Sequence, residues 1–317
     1  MLISPRILIS TVRYRVVLRN YKSTVRFEAG TLAVNRDQKA RVSSNRVYDE
    51  SVFNCLTGRS PLKIAVVQFR PVAGDIEQNI ALHLMWLRLA ATRSVNLVCF
   101  PELSLTGYEP ALAESLSLAA DDARLRVFDE FCLGHQLHAG IGLPLTSRQG
   151  VQIAQVYFGA DGVRRPYAKQ YLHADEQSFF VRGSRAMRIG ISDDCIVPAI
   201  CYEALLQDKV QQAVSMKASV YLASVAKSVD DVDRAHGFFS ATARQHGLWV
   251  LMSNAVGPCD NFVAAGGTGV WRPDGRALAI LGKGAMGMII IDTVTGETEL
   301  IDVNGVSEEA HNDKTMR

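Results

Sequence analysis

From Leu62 onward, short apolar runs alternate with longer amphipathic segments, and this alternation constrains the fold more than any other feature of the chain. The run KIAVVQF at residues 63–69 has the length and the β-branched composition of a buried strand. A turn at Pro71 and Gly74 follows, and then apolar side chains recur at helical spacing from residue 80 to residue 91. A strand, a turn and a helix in this order predict a layered α/β protein.

The same alternation continues to residue 292. Further strands are predicted at residues 95–100, 139–144, 151–159, 195–201, 219–224 and 248–253, and helical segments at 111–137, 203–217 and 232–246. The pattern ends in three strands separated by Gly-containing turns. No internal repeat or linker divides this body, so we expect one domain at residues 61–300, followed by a C-terminal tail at residues 301–317.

The first sixty residues differ from the rest of the chain in charge. They carry a net charge of +7, whereas residues 61–317 sum to −5, so the overall charge of +2 describes neither part. Arginines interrupt the opening apolar stretch, which lacks the h-region of a secretory signal, and no run reaches the ~20 apolar residues of a membrane span. We expect residues 1–60 to be a poorly ordered basic extension of a cytoplasmic protein, with organelle targeting or an early start codon as alternatives.

Several other patterns do not predict a site. The six cysteines are widely spaced and mostly lie in or beside apolar runs, which indicates reduced thiols in a reducing compartment. Cys132, His135 and His138 would fan out over roughly 120° of a helix, which suits few zinc sites. The GxGxxG letters at residues 282–287 lead into a strand and not a helix, so they do not predict a dinucleotide site. No aromatic interleaving accompanies the basic residues, and we expect no nucleic-acid or membrane partner.

Three segments place a reactive side chain at or after the end of a predicted strand, where α/β sheets carry their functional groups. Glu102 lies in FPELSLTGY, Lys169 lies in YAKQYL, and Cys201 ends the strand at residues 195–201. Each residue alone also has an ordinary structural explanation: the glutamate caps a turn, the lysine is solvated, and the cysteine fills a core. Only their joint occurrence favours a catalytic site.

Together and in this order, the three segments resemble the nitrilase superfamily of carbon–nitrogen hydrolases. The text LKIAVVQF, SNAVGP, GGTGVWRPDGRALA and GMIIIDTVTGE and the turn with Phe180 and Gly183 match family positions as well. This resemblance implies an α/β fold of the four-layer αββα sandwich type that dimerises through its layers. We therefore expect a homodimer or a higher homo-oligomer.

The resemblance also implies a catalytic triad of Glu102, Lys169 and Cys201. Cys201 is the expected nucleophile, with a thiol pKa lowered by a following helix and a nearby lysine. Glu102 is the expected general base, and Lys169 is expected to hold the oxyanion together with the backbone N–H of Tyr202. Glu176 matches the supporting glutamate and would orient Lys169 or the substrate. Such a cycle proceeds through a thioester and needs neither a metal nor an organic cofactor.

Tyr202 stands where nitrilases proper usually carry tryptophan, so we predict cleavage of a small linear amide or carbamoyl amine rather than of a nitrile. A nitrilase, a glutaminase-type supplier of ammonia and a non-catalytic scaffold are the alternatives. Tyr108 and Ser224 are predicted to contact the small-molecule amide substrate. His173 is predicted to be a pocket or loop residue. A Cys–His mechanism would replace the triad if His173 proved essential and Lys169 dispensable.

Overall fold

The computed structural model describes residues 60–302. The predicted basic extension, except Ser60, lies outside the described residues, as does the predicted tail from residue 303 onward. Within the described part, no helix combines the length and the apolar character needed to cross a bilayer.

The described residues form fifteen strands: β1 Lys63–Gln68, β2 Leu97–Cys99, β3 His138–Ser147, β4 Gly150–Phe158, β5 Arg164–Ala168, β6 Ile189–Ile191, β7 Asp194–Ile200, β8 Val220–Val225, β9 Trp249–Asn254, β10 Val256–Cys259, β11 Phe262–Ala265, β12 Gly269–Trp271, β13 Ala277–Ile280, β14 Gly287–Asp292 and β15 Thr298–Asp302. The α-helices of this part are α1 Ile76–Ala91, α2 Ala113–Leu116, α3 Arg126–His135, α4 Gln207–Ser215 and α5 Val229–His246. Short 3₁₀ helices cover Pro110–Leu112, Ala123–Leu125, Ala174–Ser178 and Cys201–Leu205.

The strands are arranged in two main sheets and one hairpin. The first sheet has the order β15-β14-β1-β2-β3-β4-β5, and the second has the order β13-β12-β9-β8-β7-β6. Parallel strand pairs occupy the middle of each sheet. In the first sheet β2 pairs in parallel with β1 and with β3, and in the second sheet β8 pairs in parallel with β7 and with β9. Strands β10 and β11 form the separate antiparallel hairpin.

Strand β1 shows how the layers are stacked. Its side chains alternate between two cores because successive residues of a strand point to opposite faces. Ile64 and Val66 lie in the core that includes the second sheet, whereas Ala65 and Val67 lie in the core formed with α1 and α3. Helices α4 and α5 cover the outer face of the second sheet. The helix–sheet–sheet–helix order confirms the expected four-layer α/β sandwich.

The predicted helices at residues 111–137 and 203–217 are each interrupted. Leu118 leaves the helical path to pair with β3, where its N–H donates to the carbonyl of Pro144 at 3.0 Å. In the second segment the backbone of Leu206 is extended, with ψ of 132°, and separates the 3₁₀ helix Cys201–Leu205 from α4. In the first segment, strand pairing overrides local helical spacing.

Five strands were not predicted: β5, β6, β10, β11 and β15. Strand β5 has the sequence RRPYA, which is polar and contains Pro166, and it forms an edge of the first sheet, where proline is tolerated. Strand β15 forms the opposite edge and includes Ile301 and Asp302. The first sheet therefore extends two residues past the predicted boundary at residue 300.

The cysteines of the described part are free thiols. All are buried except Cys195, which is half-buried, and Cys55 lies outside the described residues. The buried members are Cys99, Cys132, Cys201 and Cys259.

Candidate active site

The residues predicted for catalysis follow strands of both sheets, and Cys201 and Glu176 line one cavity. Glu102 follows β2 and Lys169 follows β5 in the first sheet, whereas Cys201 directly follows β7 in the second. The cavity has a volume of about 210 Å³ and contains the Cys201 side chain in its wall. The ends of strands from two packed sheets thus bring together residues that are a hundred positions apart in sequence.

Lys169 is the centre of a buried group of polar side chains, which we call the carboxylate–lysine cluster (Glu102, Lys169, Glu176 and Tyr108). Its ammonium donates to Glu102 Oε1 at 2.8 Å and to Glu176 Oε1 at 2.6 Å. The hydroxyl of Tyr108 donates to the same Glu176 oxygen at 3.0 Å. An ammonium has three donors, so Lys169 keeps one N–H beyond the two that hold the carboxylates.

A close backbone approach fixes the loop that carries Glu102. Leu103 has a φ of 50°, in the left-handed region that costs free energy for a leucine. Gly142 of β3 lies directly against this loop, and a Cβ there would be 2.4 Å from both Leu103 N and Pro101 O. Only glycine lets β3 support the loop at this distance.

A buried hydrogen-bond chain holds the same loop from the side of α1. His83 Nδ1 donates to the carbonyl of Asn79 at 2.6 Å, so its Nε2 accepts from Ser104 Oγ at 2.9 Å. Ser104 Oγ in turn accepts from the N–H of Gly142 at 3.2 Å. Burial lowers the pKa of His83 to about 4, so the imidazole stays neutral and keeps this donor pattern.

The loop that carries Lys169 is held by similar means. The N–H of Lys169 donates to the carbonyl of Ile153 at 2.8 Å, and its carbonyl accepts from the N–H of Gly183 at 2.7 Å. A Cβ at Gly183 would be 2.2 Å from Ala168 O, which explains the glycine of the Phe180–Gly183 turn. The backbone of Lys169 is therefore fixed independently of its side chain.

Cys201 lies at a sharp turn between β7 and a 3₁₀ helix. Its φ of 49° places it in the left-handed region, and its side chain is 7% exposed. Cys201 and Tyr202 are the first residues of the 3₁₀ helix, where N–H groups have no partner within the helix. The turn therefore directs a thiol and unpaired backbone donors to the end of the second sheet.

Glu203, to which the sequence analysis gave no role, ties the lysine loop to the nucleophile turn. Its side chain is fully buried and accepts from the N–H groups of Gln170 at 2.7 Å and of Tyr171 at 3.2 Å. It also accepts from the N–H of Ile200 at 2.9 Å and from the Tyr167 hydroxyl. One carboxylate therefore joins the backbone next to Lys169 to the backbone next to Cys201.

The cavity wall includes some of the predicted substrate contacts but not all. Its lining residues are Tyr108, His173, Asp175, Glu176, Cys201, Tyr202, Ala226, Lys227, Ser228, Asp231 and Phe262. Glu102 and Lys169 are completely buried and lie behind Glu176. The ring of His173 packs edge-on against Tyr202, with centroids 5.2 Å apart, so it lies in the pocket wall as expected.

Ser224 does not line this cavity, contrary to the expectation that it contacts substrate. It lies within β8 and is 1% exposed. Its hydroxyl is 3.2 Å from the sulfur of Cys99, on β2 of the facing sheet. Because alternate residues of β8 face the inter-sheet core, Ser224 belongs to the packing between the sheets.

The expected lowering of the Cys201 pKa is wrong. Burial and the charge of Glu102 raise the pKa of this thiol to about 11, although Lys227 and Lys169 act in the opposite direction. The following 3₁₀ helix has only five residues, and α4 begins six residues after Cys201, too far for its dipole to favour a thiolate strongly. With this raised pKa, the Cys201 side chain is a protonated thiol at neutral pH.

Glu102 lies within hydrogen-bonding range of the Cys201 thiol. Burial raises its pKa, Lys169 opposes this effect, and Glu176 adds to it. Its Oε2 atom is buried and has no conventional hydrogen-bond partner among the described residues, while the nearby Cys201 thiol lowers its pKa by hydrogen bonding. Burial also opposes the charge of Lys169, but the negative groups around it outweigh burial and raise its pKa.

No group of three or more metal-ligating side chains is found within residues 60–302. Cys132 and His135 lie on α3, whereas His138 begins β3, so they do not share one helix face.

Sequence reasoning missed Lys227 as a wall residue. Lys227 follows β8 as Cys201 follows β7, and this position after a parallel strand is the signal that could have identified it. The same rule could not have identified Phe262, because this residue contributes to the cavity wall from the antiparallel hairpin β10–β11 and does not follow a parallel strand.

Comparisons with known proteins place this geometry in a family. The model of the carbon–nitrogen hydrolase family matches residues 63–301. Two curated relatives are glutamine-dependent NAD(+) synthetases, one from Aquifex aeolicus with 23% identity over 69% of this chain and one from Thermotoga maritima with 25% identity over 68%. The matches cover 40% and 39% of those proteins, so the chain matches less than half of their length.

Similar solved structures share the fold. An amidase from a Nesterenkonia species, solved with acrylamide added to its active-site cysteine, has a TM-score of 0.67 and 22% identity, covering 74% of this chain and 95% of the amidase. A carbon–nitrogen hydrolase superfamily protein from Xanthomonas campestris, solved with an arsenic adduct in its active site, has a TM-score of 0.68 and 17% identity, covering 80% and 95%. Because the family model matches three quarters of the sequence, the chain belongs to the carbon–nitrogen hydrolase family.

Proposed function

We propose that this protein hydrolyses small linear amides or carbamoyl amines, with Cys201 as the nucleophile. The observation that carries the proposal is the Lys169 ammonium held between the Glu102 and Glu176 carboxylates, at 2.8 and 2.6 Å, behind the wall that contains Cys201. A thiol, a base with raised pKa and a fixed cation are the three groups that attack on an amide carbon requires.

In the first step Glu102 takes the proton of the Cys201 thiol as the sulfur bonds to the amide carbon. The C=O electron pair moves to oxygen, and this oxyanion is stabilised by the remaining N–H of Lys169 and by the backbone N–H of Tyr202. When the C–N bond breaks, Glu102 returns its proton to the departing nitrogen, so ammonia or an amine leaves and a thioester remains.

In the second step Glu102 takes a proton from water as the water oxygen bonds to the thioester carbon. The C–S bond then breaks, and the proton on Glu102 returns to the sulfur. The acid leaves and the resting thiol is restored. Each step needs Glu102 to change between carboxylate and carboxylic acid, and a pKa raised by burial makes Glu102 a stronger proton acceptor than an exposed glutamate.

A second candidate is release of ammonia from glutamine for use by another protein. The curated relatives that support it are named for their dependence on glutamine, and the match covers about 40% of their length. Glutamine is itself a carboxamide, so this candidate uses the same chemistry and differs in the substrate and in the fate of ammonia.

The test is ammonia release from a panel of aliphatic amides, carbamoyl amines, glutamine and nitriles by the full-length protein, with intact-mass detection of an acyl adduct. Cys201→Ala is expected to reduce turnover by roughly 10⁴-fold or more and to abolish the adduct.

Cys195→Ala is the matched control, because Cys195 lies at the start of the same strand and its thiol donates to the carbonyl of Met216 away from the cavity. This variant should retain activity and adduct. Absence of both turnover and adduct with every substrate would contradict hydrolysis and favour the scaffold alternative.

A further inference from the structure

Lys227 is a buried lysine at the cavity wall to which the hydrolytic cycle assigns no role. It is only 7% exposed and lines the same cavity as Cys201 and Tyr202. Its backbone is firmly held, since its N–H donates to Asn254 Oδ1 at 2.8 Å and its carbonyl accepts from the N–H of Ala265 at 2.8 Å. The side chain therefore starts from a fixed point beside the nucleophile.

The Lys227 ammonium has no hydrogen bond or ion pair with any residue in the described part of the chain. Two other buried lysines differ in this respect. Lys169 bonds to two carboxylates, and Lys209 donates to Gln170 Oε1 at 2.8 Å and to Gln212 Oε1 at 2.7 Å. Burying an ammonium without a partner costs free energy, which a ligand with a negative charge would recover.

The acidic residues that share the cavity are engaged elsewhere. Asp231 accepts from Ser228 Oγ at 3.2 Å and lies 3.9 Å from Arg234, and its side chain is half exposed. Asp175 pairs with His173 at 2.6 Å and is also exposed to solvent. Glu176 is already bound to Lys169. Lys227 is thus the charged side chain of the wall that lacks a direct partner among the described residues, and it lies just before the N-terminus of α5, which favours anions as well.

The charge of Lys227 is close enough to the Cys201 thiol to influence it. Among the groups that lower the pKa of Cys201, its charge has the largest effect, ahead of Lys169. The cavity of about 210 Å³ is smaller than the roughly 300–1,000 Å³ of typical drug-sized ligand sites. A group bound to Lys227 would therefore belong to the same small molecule whose carbonyl carbon meets the thiol.

We propose that Lys227 binds a carboxylate of the substrate, so that the preferred substrates are small amides with a carboxylate a few bonds from the scissile carbonyl. This inference rests on the proposed amide hydrolysis and specifies its substrate class. It differs from a role in which Lys227 only stabilises the thiolate, because that role would affect charged and neutral amides equally.

The experiment compares succinamate with butyramide, which has the same chain length but a methyl group in place of the carboxylate. Full-length wild-type protein should have the higher kcat/KM for succinamate. In Lys227→Met the ratio of the two kcat/KM values should fall by roughly 10- to 100-fold, since a charge-assisted hydrogen bond is lost. Lys227→Arg should keep most of the ratio.

Lys283→Met is the charge-matched control, because Lys283 is about half exposed and pairs with Asp233 at 3.4 Å. It should leave both kcat/KM values unchanged. A ratio that stays the same in Lys227→Met, with both substrates affected equally, would overturn the inference.

Calorimetric titration with succinate separates this inference from the proposed function, because succinate contains no amide. Binding that is present in wild type and Lys283→Met but lost in Lys227→Met supports the inference even if no amide is turned over. Turnover of butyramide without preference for succinamate and without succinate binding would overturn the inference and leave the proposed hydrolysis standing.

Discussion

The two walls of the cavity come from different sheets and differ in how their polar groups are partnered. On the first-sheet side, the carboxylate–lysine cluster is closed by short hydrogen bonds among its own members. On the second-sheet side, Cys201 and Lys227 line the cavity with few hydrogen bonds to other residues. The Cys201 thiol makes a long contact of 3.9 Å with the carbonyl of Ala226, and the Lys227 ammonium has no hydrogen bond with a described residue. One wall is therefore organised before any ligand binds, whereas the other is left to be completed by the substrate.

The largest expected effect comes from breaking the organised wall. Lys169→Met would leave the Glu102 and Glu176 carboxylates buried without a counter-charge, so the free energy of unfolding should fall by about 3–5 kcal/mol at pH 7. Denaturant unfolding followed by circular dichroism measures this change. The penalty should shrink at acidic pH, where the carboxylates become protonated, and a loss below about 1 kcal/mol at pH 7 would show that the cluster is not closed as described.

The support beneath Glu102 should be the next most sensitive feature. Gly142→Ala would place a Cβ 2.4 Å from the backbone at Leu103 and Pro101, which must shift, at a cost of about 1–3 kcal/mol in stability. A displaced Glu102 should also reduce kcat by up to about 10²-fold.

Gly190→Ala in β6 is the control for this substitution, because a Cβ there meets no atom within 4 Å and the backbone has an ordinary φ. Equal activity of the two alanine variants would contradict the supporting role of Gly142.

The charge balance within the organised wall can be tested through pH. Glu176 raises the pKa of Glu102, so Glu176→Gln should lower that pKa. In the proposed mechanism, activity requires ionised Glu102 and is lost as pH falls through its pKa, so the acid limb of kcat/KM should move to lower pH. The rate at the optimum should fall too, because a neutral amide oxygen holds the Lys169 ammonium less strongly than the carboxylate does. An acid limb that stays in place would show that another group controls it.

The smallest expected effect concerns the stability of the second wall. Lys227→Met removes a buried ammonium that has no partner in the described residues, so the free energy of unfolding should stay within about 1 kcal/mol of the wild-type value or increase. This outcome is opposite to that expected for Lys169→Met, although both variants replace a buried lysine by the same residue. A large destabilisation would mean that Lys227 has a structural partner.

The sequence predicted the central strands well because both of their faces are buried, as the continuous apolar runs of β1 and β14 show. Edge strands such as β5 were not predicted, because the polar residues and Pro166 of β5 do not form a continuous apolar run. The helical pattern at residues 111–137 failed because pairing of Leu118 with β3 is a tertiary contact that local spacing does not contain.

For the site, the strand-end rule and the family resemblance placed Glu102, Lys169 and Cys201 near one another. The thiol pKa was wrong because it depends on burial and on the charge of Glu102, which the neighbouring sequence does not reveal. Substrate contact by Ser224 stays a prediction, and the structure places this residue in the packing between the sheets, outside the cavity wall. Glu203 was missed since its four partners are brought together only by the packed loops.

Strand β1 lies between β2, the next strand along the chain, and β14, which is made more than two hundred residues later. During synthesis on the ribosome, the sheet that carries Glu102 and Lys169 therefore begins first and is completed last. Until residues 287–292 emerge, one edge of β1 lacks the strand with which it pairs. Catalytic activity should consequently appear only after nearly the whole described domain has left the ribosome. A nascent chain that stops earlier should be inactive.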